Sequence, residues 1–183
     1  MTATIQSEPN ERSQEEMHSL LEMGTREVFS LMIGRALEAG KELQLQPRTE
    51  FAAMVGLAGD ICGVVSVRCG QDAAERIAAL MLDLPPEKAI EHVWDALGEV
   101  ANMVAGNFKN KLNGKNDGCM LSLPTVITGA DYRFRSPSVE RGMELQFSFE
   151  NMPLIVKLEL YEFPGQKIQK QPRIYTDSHR LTP

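Results

Sequence analysis

Three residues of this sequence join side-chain types that could do chemistry with a spacing that brings them together: Glu99, Asn102 and Gly106. A carboxylate accepts hydrogen bonds and carries charge, an amide both donates and accepts, and glycine leaves a bare patch of backbone. Separations of three and four residues place them on neighbouring turns of one helical surface, flanked by Asp95 and Met103. Such a strip suits polar recognition by another molecule. The solvent face of an amphipathic helix carries similar residues, so spacing alone leaves both readings open. Gly106 favours the functional one. Glycine in a helix interior costs about 0.5–1 kcal/mol relative to alanine, and nothing in the local pattern needs a break there. An exposed helical glycine suits close approach by another surface, the alternative being a tight helix–strand crossing within the chain.

The strip needs a helix to carry it. Asp83-Leu84-Pro85-Pro86 is a helix-start signal, and the pattern predicts a helix over residues 87–112 that ends near Asn113-Gly114. At 100° per residue, Ile90, Val93, Trp94, Leu97, Val100, Ala101, Val104, Phe108 and Leu112 gather on one face, with Trp94 read as core. Glu99 falls almost opposite the centre of that face, and Asn102 and Gly106 lie beside it. Upstream, apolar spacing predicts a first long helix over 15–38, with Gly40 as its stop. Strands at 49–57 and 61–69, joined through Ala58-Gly59-Asp60, read as a hairpin, and a shorter helix follows over 71–82. Residues 119–128 read as a strand broken by Pro124, hence an edge or a bulge. Two more strands, 142–150 and 154–161, join at Asn151-Met152-Pro153. The fold class is α+β: a mostly antiparallel sheet flanked by two long helices and one shorter helix. Residues 1–14 are expected to be disordered, 15–162 to form the domain, and 163–183 to form a flexible tail.

Composition narrows the function classes. Net charge is −6, from 25 acidic and 19 basic residues, without the basic stripe of a nucleic-acid binder. Neither nucleic acid nor an anionic membrane is an expected partner. Cys62, Cys69 and Cys119 form no C-x-x-C pair and leave an odd count, which reads as free thiols in a reducing cytoplasm. His18, His92 and His179 form no zinc pattern, so no metal site is expected, and neither a nucleophile elbow nor a phosphate loop occurs. Met23, Met32 and Met103 read as core or interface filler. A faint internal repeat aligns Glu27-Val28-Phe29-Ser30 and Gly34 with Glu99-Val100-Ala101-Asn102 and Gly106. Ser30, shorter and without an amide, stands where the second helix has Asn102, and Glu27 reads as a solvated charge.

Gly98-Glu99-Val100-Ala101-Asn102-Met103-Val104-Ala105-Gly106-Asn107 resembles the E-x-x-N-x-x-x-G-N helix of the CheC/CheX/FliY chemotaxis phosphatases. Leu121-Ser122-Leu123-Pro124-Thr125-Val126-Ile127-Thr128-Gly129 resembles the Pro-containing strand that follows it in CheX-like members. The element order matches over residues 14–162, with one such helix retained, as in the CheX branch. The resemblance implies a cytoplasmic phosphatase for the aspartyl phosphate of a CheY-like response regulator, working as a homodimer. It implies no cofactor of its own, the regulator supplying Mg²⁺. Asn102 and Glu99 are then the catalytic pair, with Asn102 orienting water as a glutamine does in small GTPases and Glu99 pairing with the regulator's lysine. Gly106, Asp95 and Met103 would meet the partner. A non-catalytic regulator-docking module, or a dimeric interaction module, of the same fold is the competing reading.

Overall fold

The computed structural model describes residues 14–40, 50–59, 61–113, 118–130 and 139–161. Of the disorder expected over residues 1–14, residues 1–13 lie outside them while Gln14 already begins a helix, and the tail expected over 163–183 lies outside them, as do Thr49, Asp60 and Gly114. Helix α1 (Gln14–Val28) carries Glu15 and Glu16 in its first turn and Arg26 in its last, which suits the helix dipole at both ends. It widens into a π turn (Phe29–Ile33) and stops at Gly34, whose φ of 71° is the left-handed conformation glycine adopts without strain. The predicted stop at Gly40 is therefore wrong. The apolar spacing ran on to Leu37 because Leu37 enters the core from the connecting segment. Gly40 serves close approach instead. Its N–H donates to the Gln146 carbonyl at 3.0 Å, and a Cβ there would stand 2.7 Å from the Gln146 carbonyl carbon.

Seven strands among the described residues form one antiparallel sheet: β1 (Glu38–Ala39), β2 (Glu50–Gly59), β3 (Gly63–Gly70), β4 (Cys119–Leu121), β5 (Thr125–Gly129), β6 (Val139–Phe149) and β7 (Met152–Tyr161). Their order is β1-β6-β7-β3-β2, with β4 and β5 sharing the outer edge of β2. Helices α2 (Gln71–Leu82), α3 (Pro86–Ala89) and α4 (Val93–Asn113) complete the fold, and Ile90–His92 form a 3₁₀ turn that leads from α3 into α4. This is the α+β architecture that the sequence predicts. β3 shows why one side of the sheet holds the core. Val65, Val67 and Cys69 are buried while Val64, Ser66 and Arg68 alternate outward, as a half-covered antiparallel strand requires. Leu97, Val100, Val104 and Phe108 of α4 close over that face, with Leu21 and Phe29 from the first helix and Ile77 from α2. Phe29 meets Phe149 edge-on, with ring centroids 5.5 Å apart, an arrangement worth about 0.5–1.5 kcal/mol beyond the buried area.

The β6–β7 turn falls one residue earlier than predicted. Glu150 (φ 48°) and Asn151 (φ 66°) make a two-residue turn, and Pro153 already lies in β7 opposite Ser148. Positive φ in both turn positions matches the twist of the flanking strands. Glu150 also joins three elements: its carboxylate takes hydrogen bonds from Arg35 Nε at 2.6 Å and Arg76 Nε at 2.7 Å. The two guanidinium groups, Arg76 first, hold its pKa down at about 2 from 4.5. A carboxyl group depressed in the folded state adds stability above its unfolded pKa and loses it as pH falls through the folded value. Glu150→Gln should thus melt below wild type at neutral pH, with the gap closing between pH 4.5 and about 2. Thermal melts across that range test this, and a gap that stays constant would show that the ion pairs do not act on stability.

Candidate functional site

Helix α4 carries the candidate site, and most of its burial matches the predicted face: Val93, Leu97, Val100, Ala101, Val104, Phe108 and Leu112 are all buried. Two residues depart from it. Ile90 is exposed because it sits in the 3₁₀ turn, where three residues per turn shift the phase of the wheel. Trp94 lies at the border of the face and remains 44% exposed, its ring edge-on to Phe51 at 5.6 Å. The core assignment of Trp94 is therefore corrected: it caps the rim rather than filling the interior. Of the methionines read as core or interface filler, Met23 and Met32 are exposed and Met103 is half-buried.

The predicted strip is brought together on the outer surface of α4. Glu99 and Asp95 are exposed, and Asn102 and Gly106 are half-buried. Neither Glu99 nor Asn102 has an ion pair or side-chain hydrogen bond among the described residues. An unpaired amide in a half-buried position keeps its donor and acceptor free for an incoming group.

Two glycines, one turn to either side, bracket Asn102. A Cβ at Gly98 would meet Pro124 Cγ at 3.4 Å and Val126 Cγ2 at 3.6 Å, and one at Gly106 would meet Leu121 Cδ1 at 3.8 Å. The edge segment 121–126 thus runs alongside the ridge that carries Asn102, and small residues let it lie close.

That segment carries a bulge. In the pairing with β2, Leu57 faces Leu121 while Met54 faces Thr125, so two residues of β2 oppose three of the edge strand. Parity requires the extra residue. Leu121 and Val126 both point at α4, yet positions five apart fall on opposite faces of a regular strand. Ser122 fixes the bulge: its N–H donates to the Gly56 carbonyl at 2.9 Å, and its Oγ accepts from the Gly56 N–H at 2.8 Å. The predicted edge or bulge at Pro124 is what the structure contains. Sequence reasoning missed Gly98 beside Asn102, and a glycine one turn before Asn102 was the available signal.

The motif's last residue has a structural task. Asn107 donates from Nδ2 to Glu27 at 3.2 Å and to the Gly24 carbonyl at 3.4 Å, and Lys111 pairs with Glu27 at 2.7 Å. These bonds lower the Glu27 pKa, the Lys111 bond most. The reading of Glu27 as a solvated charge is corrected: it ties α1 to α4. Gly34, a left-handed helix terminus, is also no structural counterpart of the helical Gly106.

Among the described residues, no group of three or more His, Cys, Asp or Glu side chains is placed to hold a metal, and no helix is long and apolar enough to cross a membrane. The three cysteines are free thiols; burial pushes Cys69 up to about 12, leaving it inert.

The family model described as "Chemotaxis phosphatase CheX" matches residues 51–148, more than half of the chain. No curated protein sequence matches it. Solved structures resemble its fold. A CheX from Desulfovibrio desulfuricans, 23% identical, has a TM-score of 0.66 over 79% of this chain and 99% of its own. One from Vibrio vulnificus, 21% identical, reaches 0.69 over 82% and 99%. A CheX–CheY–BeF3–Mg²⁺ complex from Borrelia burgdorferi, 22% identical, gives 0.65 over 80% and 98%.

The 3.8 Å clearance to Leu121 leaves room for a methyl group at Gly106. Gly106→Ala should therefore stabilise the protein by up to about 1 kcal/mol, the usual helix-propensity gain. A denaturant midpoint that falls instead would show that the interior itself demands glycine.

Proposed function

We propose that this chain, which belongs to the CheX family of chemotaxis phosphatases, hydrolyses the aspartyl phosphate of a CheY-like response regulator. The observation that carries the proposal is the free amide of Asn102, set between two glycines on an otherwise accessible ridge. The similar fold from Borrelia burgdorferi, solved with CheY, BeF3 and Mg²⁺, supports the choice of partner.

The chemistry asks little of the phosphatase. Water attacks phosphorus in line, the bond from phosphorus to the aspartyl oxygen breaks, and the carboxylate departs with the bonding pair. Catalysis then rests on holding water in line. Asn102 serves this purpose by accepting a hydrogen bond from water through its amide oxygen. A carboxylate beside a phosphoryl group would suffer charge repulsion, so Glu99 fits better as the partner of a regulator lysine, fixing the depth of insertion. Asp95 and Met103 border the contact, and Gly106 admits the regulator's backbone without a Cβ clash. The regulator brings its own Mg²⁺ in this reading, and no step passes through a metal held by this chain.

The same proposal places the protein in the cytoplasm as a homodimer. Among the described residues, β1 is a sheet edge where a second copy could pair.

Asn102→Ala should lower the rate of regulator dephosphorylation by on the order of a hundredfold, the scale lost with a misplaced reactant, while binding of the phosphorylated regulator stays within twofold. Phosphate release from CheY-like regulators of the same organism measures the first, and titration calorimetry the second. Full activity in the variant would refute the assignment. A wild-type complex that leaves the phosphate lifetime unchanged would favour the docking module.

A further inference from the structure

Leu123 takes no part in the core and is 88% exposed, the highest value among the exposed large apolar side chains described. Scattered apolar residues at a surface are ordinary. Leu123 differs in how it is held. On one side Ser122 is clamped to Gly56 by two hydrogen bonds, and its Oγ donates to the Leu123 carbonyl at 2.8 Å. On the other side Pro124 rests against Gly98. The bulge makes Leu123 the extra residue of its strand, so it escapes the alternation that would otherwise turn it toward α4 or away from it.

Its location follows from lengths. Between Gly98 and Gly106 the helix advances about 12 Å at its usual rise. From Leu121 to Pro124 an extended chain covers about 10 Å. The two run side by side with their ends in contact, so the bulge stands next to the turn that bears Asn102. Trp94, 44% exposed, stands one turn beyond Gly98 and adds an apolar surface at that end of the segment. A body whose phosphoryl group reaches Asn102 therefore approaches beside the segment that carries Leu123.

We propose, resting on the phosphatase reading above, that Leu123 determines affinity and specificity for the regulator. It packs into an apolar surface of the receiver domain beside the phosphoryl site, while Asn102 acts on water. Backbone held in place before binding loses little freedom on binding, so the side chain it carries can serve as an anchor at lower entropic cost.

The test compares wild type, Leu123→Ser and Leu123→Met. It uses a panel of the organism's CheY-like regulators, phosphorylated with acetyl phosphate for kinetics and loaded with beryllofluoride for binding. Leu123→Ser should raise KM and Kd about tenfold, equivalent to about 1.4 kcal/mol, with kcat within twofold and an unchanged melting temperature. Leu123→Met should restore both constants to within twofold of wild type. Unchanged KM and Kd in Leu123→Ser, or a fall in kcat alone, would overturn the role of Leu123 while wild-type turnover upholds the phosphatase reading. A wild-type chain that neither binds nor dephosphorylates any regulator of the panel would overturn both.

Discussion

The close approach of α4 to the sheet edge is the constraint on which the site depends. Helices usually stand about 10 Å from what they cover, held off by their own side chains. Here Gly98 and Gly106 carry no side chain at two turns, and the edge strand fills the space a longer side chain would need, leaving room for no more than a methyl group. The strand must in turn offer apolar atoms at both ends of the contact. Leu121 and Val126 stand an odd number of residues apart, so a pleat of period two cannot supply both. The bulge resolves the parity, and Gly56, lacking a side chain, leaves room for the Ser122 hydroxyl that secures it.

This arrangement needs a helix that does not slide. The Asn107–Glu27–Lys111 cluster fixes α4 to α1, and the Arg35–Glu150–Arg76 cluster ties the end of the first helix to α2 and the β6–β7 turn. Exposed pairs of this kind each add little to stability. Their value is positional, because each joins elements distant in sequence. The apolar layer beneath supplies most of the energy, and the ion pairs choose one alignment among those the apolar layer would tolerate.

Much of the fold was legible because its signals are local. The shorter helix over 71–82 was read with its bounds, since Asp72 opens it and an Ala/Leu/Met run fills it. Pro124 announced a break because proline cannot donate to a ladder. The misreadings arose where a local pattern has two tertiary meanings. Leu37 extends the helical spacing of α1 although the chain has already left the helix, and only the backbone at Gly34 marks the end. Trp94 is apolar and on the right side of the wheel, yet its large ring sits at the border and reaches water. Glu27 appears as one more surface acid until Lys111 and Asn107, 84 and 80 residues away, are placed beside it. At the candidate site, spacing grouped Glu99, Asn102 and Gly106 on one surface. The edge segment beside Asn102 was not readable as part of that surface, because it comes from a strand whose register only the folded sheet defines.

The contrast between the two long helices shows why one of them suits the chemistry better. The first ends in a π turn that contains Ser30 and closes at the left-handed Gly34, so that position lies near a helix terminus where the backbone changes course. Asn102 lies mid-helix, with two turns or more on either side and buried neighbours at 100, 101, 104 and 105. A group that must hold water in line within a fraction of an ångström is better fixed to the second environment than to the first. The rigid helix sets where the amide stands, and the flanking glycines and bulge set what can reach it. Positioning and access are supplied by different elements, so a change in the edge strand can alter which partner fits without moving the amide.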